Sequence, residues 1–325
     1  MNTAPKAMRL ARAIDRFLAH KRALGYRCRQ EAWLLPKLLA HVEQSGDRDL
    51  HAEGFARWLT RLQDHHPNTR RAWYQIVERF CHYRHRSEPG CFLPSPDGAA
   101  KRQPYVTPVI VEPGQIARLL AQASQRSPTS ASPLHGPALR LAIVLLYTCG
   151  LRLGELLRLT LEDIEDQGTV LRIRESKFRK SRLVPLSAST TRELQTYLRR
   201  RRKVFAVHPR TPLLCNRHGG RFHPYSHPGL QAGVNQLFVT AGVRDEQGRR
   251  PRIHDLRHSF AVQALLRWYR HGADVQSCLP KLALYMGHVS IESSAYYLHW
   301  VPALQRMASH RFEQRFAYLV NGGGR

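Results

Sequence analysis

A mainly α-helical chain with a small β-sheet, divided into two domains, is the fold class the sequence predicts, and three observations predict it. Apolar residues recur at helical spacing over most of the 325 residues. Between residues 161 and 187 the period shortens to that of strands. From Glu88 to Pro113 the texture turns proline-rich, EPGCFLPSPDGAAKRQPYVTPVIVEPG, which separates one helical region from the other. A length beyond the ~100–200 residues usual for one domain supports the division.

In the first region Leu10, Ile14, Phe17, Leu18 and Leu24 fall near one face of residues 8–24, with Arg9, Arg12, Arg16, Lys21 and Arg22 between them. Similar stripes run over Trp33–Val42, Phe55–Leu62 and Trp73–Tyr83, separated by the turn-like SGDRD and HHPN. Four short helices over residues 1–90 make a small bundle. Proline has no N–H and crowds the preceding turn, so Pro36 is expected to kink the second helix or delay its start. Trp33, Trp58 and Trp73 are expected in the core. Residues 91–113 read as a linker, extended and lying across a ligand, and residues 114–325 as the second domain.

That domain opens with helices over Gln115–Ala123 and Pro137–Cys149, and Gly150–Leu159 continues as a helical turn. The run LAIVLLY at 141–147 is too short to span a bilayer and reads as a buried helix. LEDIED, TVLRIRE and RLVPLS are three strand-like runs joined by QGT and SKFRKS. Residues 190–203 return to a helix ending in RRRRK, expected as a solvated face, and LLCN and GRF are brief extended pieces. Helices continue to Leu319, the last an apolar-striped tail over residues 300–319 with Leu304, Met307, Phe312 and Phe316.

Lys and Arg total 51 against 24 acidic residues, a net charge of +27 and a pI near 10.8. That excess goes beyond what solubility requires, extends over both regions, and points to a polyanionic partner, above all nucleic acid. The six cysteines show no CxxC pairing and sit mostly in apolar patterns, which suits buried thiols in a reducing cytosol. The N-terminus lacks the apolar core of a signal peptide.

Four constellations carry chemistry. In YTCGLRLGELLRL, Arg152 follows a Gly-Leu step and Glu155 lies one turn on, so a planar guanidinium can face phosphate oxygens while the carboxylate holds it or the helix. SKFRKS places Lys177, Arg179, Lys180 and Arg182 at a hairpin tip, where a lysine crowded by arginines gives up its proton more readily, or where the cations rest on DNA phosphates. HDLRH sets His254, Arg257 and His258 within about one helical turn, after Pro251 at a helix start. MGHVSIESSAYYLH adds His288 after Gly287, a capping Ser290, and Tyr296 and Tyr297, which point ~100° apart on a helix so that only one faces a site. His254 and His258, with Asp255 between, also resemble the zinc-protease HExxH, but a third ligand is lacking and no metal is expected.

In these boxes, from about residue 147 to 299, the chain resembles the tyrosine recombinases, the group of phage integrases and Xer-type resolvases. GLRLGEL is similar to the first arginine box, SKFRKSRLVPL to the family's GKGxKxRxVPL, HDLRH to HxLRH and MGH to LGH. The resemblance implies catalytic Arg152, Lys177, His254, Arg257 and His288, the nucleophile Tyr297 nine residues after His288, supporting Glu155 and His258, and DNA contacts from Arg179, Lys180 and Arg182. Ser176 and Phe178 replace the usual glycines, which leaves Lys180 as the rival to Lys177, and Met286 replaces Leu. The implied fold is an N-terminal α-helical, SAM-like core-binding bundle beside a mixed α/β catalytic domain, the two clamping DNA. The implied activity is site-specific cutting and rejoining of double-stranded DNA through a 3′-phosphotyrosyl bond, with no cofactor, ATP or metal, for a phage or mobile element. Homotetramers on paired sites, a tail helix docking on a neighbouring subunit, and a cytoplasmic, nucleoid-associated prokaryotic setting follow from the same likeness. A recombinase-derived DNA-binding protein without catalysis, and a monomeric type IB-like topoisomerase, are the alternatives.

Overall fold

The computed structural model describes residues 6–104, 106–174, 181–205, 208–218 and 221–287. It divides into two compact units, Met1–Val106 and Thr107–Arg325.

The first unit is four helices, α1 Lys6–Ala23, α2 Arg29–Gln44, α3 Ala52–Thr60 and α4 Pro67–His85. Leu10, Ile14 and Phe17 of α1, Leu34, Leu35 and Leu38 of α2, Phe55 and Trp58 of α3, and Val77 and Phe80 of α4 form its core. The α2 helix neither starts late nor ends at Pro36 but runs through it. One lost backbone bond costs less than exposing Leu34, Leu35 and Leu38, all at 1% exposure or below. Of the three tryptophans only Trp58 is in the core. Trp33 is 48% exposed, with Lys37 Nζ 3.7 Å from its ring centroid and Trp73 5.4 Å away. An indole needs only partial cover, and a lysine stem and a second ring supply it.

The proline-rich stretch is not a free linker on the first unit's side. Phe92 and Leu93 pack on the helical core, and Tyr74 Oη donates to the Ser95 carbonyl at 2.5 Å. Buried Arg84 ties the unit together, donating to both oxygens of Asp49 at 2.6 Å and to Glu88 at 2.7 Å.

The second unit is built on α6 His135–Thr148. Its residues Leu141–Leu146 are all buried, so this helix is apolar on every side and must be surrounded. Helices α5 Pro113–Ser124, α8 Ala188–Arg202, α9 His227–Thr240 and α10 Asp255–Arg270 pack around it. The short α7 Leu153–Leu156 follows α6, and α11 Val275–Met286 packs on α10. Strands β1 Ile164–Glu165, β2 Val170–Ile173 and β3 Arg182–Pro185 form an antiparallel sheet in that order, with Leu171 opposite Val184 and both buried. Only two residues of LEDIED are strand; Leu161–Asp163 is a 3₁₀ turn because Asp163 accepts from the Thr160 N–H and hydroxyl. A second antiparallel pair joins β4 Cys215–His218 to β5 Arg221–Pro224. The RRRRK run is not wholly solvated: Arg201 continues the inward stripe of Leu194 and Tyr197, is 1% exposed, and donates to the Pro212 and Leu213 carbonyls.

Among the described residues no helix is long and apolar enough to cross a membrane. The cysteines are free, and all but Cys91 are buried.

Replacing Arg84 with Gln should leave Asp49 and Glu88 without their shared cation. Urea unfolding followed by tryptophan fluorescence should then show the first unit destabilised by about 2 kcal/mol, below the full cost of breaking a buried pair because both carboxylates keep some access to water. An unchanged midpoint would show that the pair contributes nothing net.

Candidate active site

The first arginine box is shaped by two backbone requirements. Helix α6 ends at Cys149, and Gly150 takes φ 59°, a left-handed conformation in which a Cβ would meet the Phe260 ring at 2.5 Å. Only glycine fits there, and it turns the chain so that Arg152 precedes α7. Glu155 then reaches back, its Oε2 accepting from the Arg152 N–H at 2.9 Å and its Oε1 from Arg152 Nη1 at 2.7 Å. The i, i+3 spacing therefore makes a helix cap and an ion pair at once.

Glu155 is 3% exposed and has a second cation, Arg182, whose Nη1 and Nη2 lie 3.1 and 2.9 Å from its two oxygens. Burial pushes the Glu155 carboxyl up, but the hydrogen bonds and charge of Arg182, with those of Arg152, outweigh it and hold the group down at about 2. Arg182 is thus not at a hairpin tip on DNA phosphates. It begins β3, its side chain is 9% exposed, and a fork already bonded to a buried carboxylate has little reach into solvent.

Three guanidinium groups meet at the end of α11. Arg182 Nε donates to the Tyr285 carbonyl at 2.8 Å, Arg257 Nη2 to the Met286 carbonyl at 2.8 Å, and Arg152 Nη2 to the Gly287 carbonyl at 2.8 Å. The last carbonyls of a helix have no partner within it and carry its negative end, so cations belong there. Arg257 also donates to the Gly150 carbonyl and is 2% exposed, whereas the Arg152 side chain keeps 25%. Because Met286 and Gly287 are consecutive, Arg152 and Arg257 converge on one spot, and a planar anion placed there would be held from two sides.

His254 caps α10 and His258 stands one turn on, their rings 4.8 Å apart and nearly perpendicular. Helix α10 begins at Asp255 rather than next to Pro251, because Asp255 Oδ2 accepts from the Arg252 N–H at 2.9 Å and sets the first turn. Asp255 is 1% exposed and also accepts from the Val109 N–H, while Ser259 Oγ accepts from the Val111 N–H at 2.8 Å. Asp255 and Ser259 therefore pin the stretch before α5 to α10. Sequence reading weighed Asp255 only as a metal motif's acid. Among the described residues no group of three His, Cys, Asp or Glu side chains could hold a metal ion.

Both imidazoles are shifted toward the neutral form: loss of hydration lowers His254, although the residue is exposed, helped by the charges of Arg257, Arg152 and Arg252, and burial with the neighbouring His254 lowers His258 to about 4. Lys177, Arg179, Lys180, His288, Ser290, Tyr296, Tyr297 and the tail over 300–319 lie outside the described residues.

The fold is that of DNA recombinases: the Tn1549 transposon integrase, solved with a circular intermediate DNA, matches at a TM-score of 0.63 over 94% of this chain and 99% of that one, at 16% identity. In sequence, a relative described as an integrase/recombinase, y4rB of Sinorhizobium fredii, is 32% identical over 94% of this chain and 97% of its own length. The tyrosine recombinase XerC of Myxococcus xanthus is 33% identical over 49% of each chain. The phage integrase family model matches residues 111–303. The chain belongs to the phage integrase family of tyrosine recombinases.

A histidine kept neutral below its ordinary pKa stabilises the fold fully above about pH 6.5, and that contribution is lost as the pH falls toward about 4. Between those limits His258→Asn should lose less stability than the parent, by on the order of 2 kcal/mol, in urea titrations at stepped pH. Parallel curves for the two proteins would disprove the neutral-pair account.

Proposed function

We propose that this recombinase cuts and rejoins double-stranded DNA through a covalent 3′-phosphotyrosyl intermediate, with Tyr297 as nucleophile. The observation that carries the reading is the convergence of Arg152 and Arg257 on consecutive carbonyls, directly before the sequence position of His288. Two forks from separate elements, aimed at one spot in a chain of net charge +27, suit a phosphodiester.

The Tyr297 oxygen attacks phosphorus, its proton passing toward His254, and the P–O bond to the 5′ oxygen breaks. Lys177 protonates that oxygen, giving a free 5′-hydroxyl and a phosphotyrosyl bond that keeps the energy of the broken one. The lowered pKa of His254 favours the neutral imidazole, the form that can take up a proton. Arg152 and Arg257 take the charge that builds on the nonbridging oxygens, with His288 as a further donor. The reverse attack by a 5′-hydroxyl of another strand completes exchange. The chemistry as written uses neither ATP nor a metal ion. Glu155 and His258 support the site, Arg179 and Lys180 contact DNA, and the first unit grips the duplex as the core-binding domain.

Several structural neighbours were solved on DNA, the XerH recombinase bound to its difH substrate among them, at a TM-score of 0.57 and 20% identity. By extension the assembly is a tetramer on paired sites of a mobile element or phage, in the cytoplasm with the nucleoid.

Nicked duplexes drawn from the DNA flanking its gene should trap a protein–DNA adduct in EDTA. Tyr297→Phe should form none, and Arg152→Ala or Arg257→Ala should slow the adduct by about 10²–10³-fold. No adduct from the parent, or an adduct from Tyr297→Phe, would sink the assignment. A 5′-bridging phosphorothiolate should rescue Lys177→Ala; rescue confined to Lys180→Ala would move the acid to that residue.

A further inference from the structure

We propose that Arg182 is a positioning residue for the transfer reaction. Through its buried pair with Glu155 and its bond to the Tyr285 carbonyl, it sets the turn at Gly287 by which the chain leaves α11 toward His288. This role rests on the proposed phosphoryl chemistry, because only there does the direction of that turn matter.

The turn needs two things that the structure supplies. Gly287 takes φ 66°, ψ 43°, and a Cβ added to it would meet Arg182 Nη1 at 2.7 Å. Glycine is required here by conformation and by the closeness of one guanidinium, so the MGH glycine and Arg182 form one fitted pair. Arg182 bridges two elements: Nε holds the Tyr285 carbonyl on α11, while Nη1 and Nη2 hold Glu155 on α7.

Charge makes the same arm consequential for Arg152. Glu155 is a single buried negative charge shared by two arginines. Without Arg182 the carboxylate would rest on Arg152 alone and draw that fork away from the Gly287 carbonyl, and from any phosphate beside it. Lysine cannot replace it, since one ammonium has no fixed fork to span a carboxylate and a carbonyl together. With Nε on the Tyr285 carbonyl and both Nη atoms on Glu155, Arg182 has every nitrogen committed within the protein and contributes no phosphate contact of its own.

Single-turnover adduct formation on the nicked duplexes is the readout, with DNA affinity measured at several salt concentrations. Arg182→Gln should slow the adduct by about 10–100-fold, the range for removing a group that orients an active-site ligand. Affinity should stay within about 2-fold and the salt dependence should not change, as no phosphate contact is lost. Arg182→Lys should not recover the rate. Gly287→Ala keeps both charges but crowds the Arg182 guanidinium and should also be slow, which covers the case that Arg182→Gln does not fold.

A parent that forms no adduct takes the chemistry down and this role with it. With an adduct from the parent, the role alone is overturned by either of two results: a parental rate in Arg182→Gln or Gly287→Ala, or a salt slope reduced by about one.

Discussion

The second unit depends on one buried carboxylate. Glu155 sits at 3% exposure between Arg152 and Arg182, where burial alone would drive it neutral and the two guanidinium groups, with the Arg152 N–H, keep it charged. An ion pair of this kind is weak evidence for stability, since desolvation can cancel the attraction. Its value here is directional. A fork that must satisfy a fixed carboxylate has few other orientations, so Glu155 sets where both arginines point.

From there the site is a set of arginines terminating a helix. Tyr285, Met286 and Gly287 offer consecutive carbonyls, and Arg182, Arg257 and Arg152 take one each. Each arginine comes from a different part of the chain: β3, α10 and the turn before α7. The end of α11 is thereby the point at which these elements are registered against one another. The last carbonyls of the helix lack partners within it, and by accepting from these arginines they orient the three cations together. Two glycines make the arrangement possible, Gly150 under the Phe260 ring and Gly287 under the Arg182 guanidinium.

Much of this architecture was legible in the sequence. The helical stripes of both regions, the strand-like change of period and the central apolar helix all correspond to elements, because burial imposes a period that composition displays. The misreadings share a cause. Trp33, Trp73 and Arg201 were judged by residue type, whereas packing decided them: an indole stays near the surface when a lysine stem and a second ring cover it, and an arginine is buried when carbonyls await it. Arg182 is the instructive case. Its place beside Arg179 and Lys180 in the basic run SKFRKSR suggested phosphate, yet it opens β3 and faces inward.

The sequence by itself determined the family and the residue types of the site, since GLRLGEL, HDLRH and MGH are local strings whose order survives without coordinates. Only the tertiary structure decided which cation belongs to which partner. Glu155 and Arg182 lie 27 residues apart and Arg152 and Gly287 135 apart, separations at which spacing along the chain carries no information about contact. The pairing was settled by where buried charge and unpaired helix carbonyls could find each other, and that is a property of the packed core.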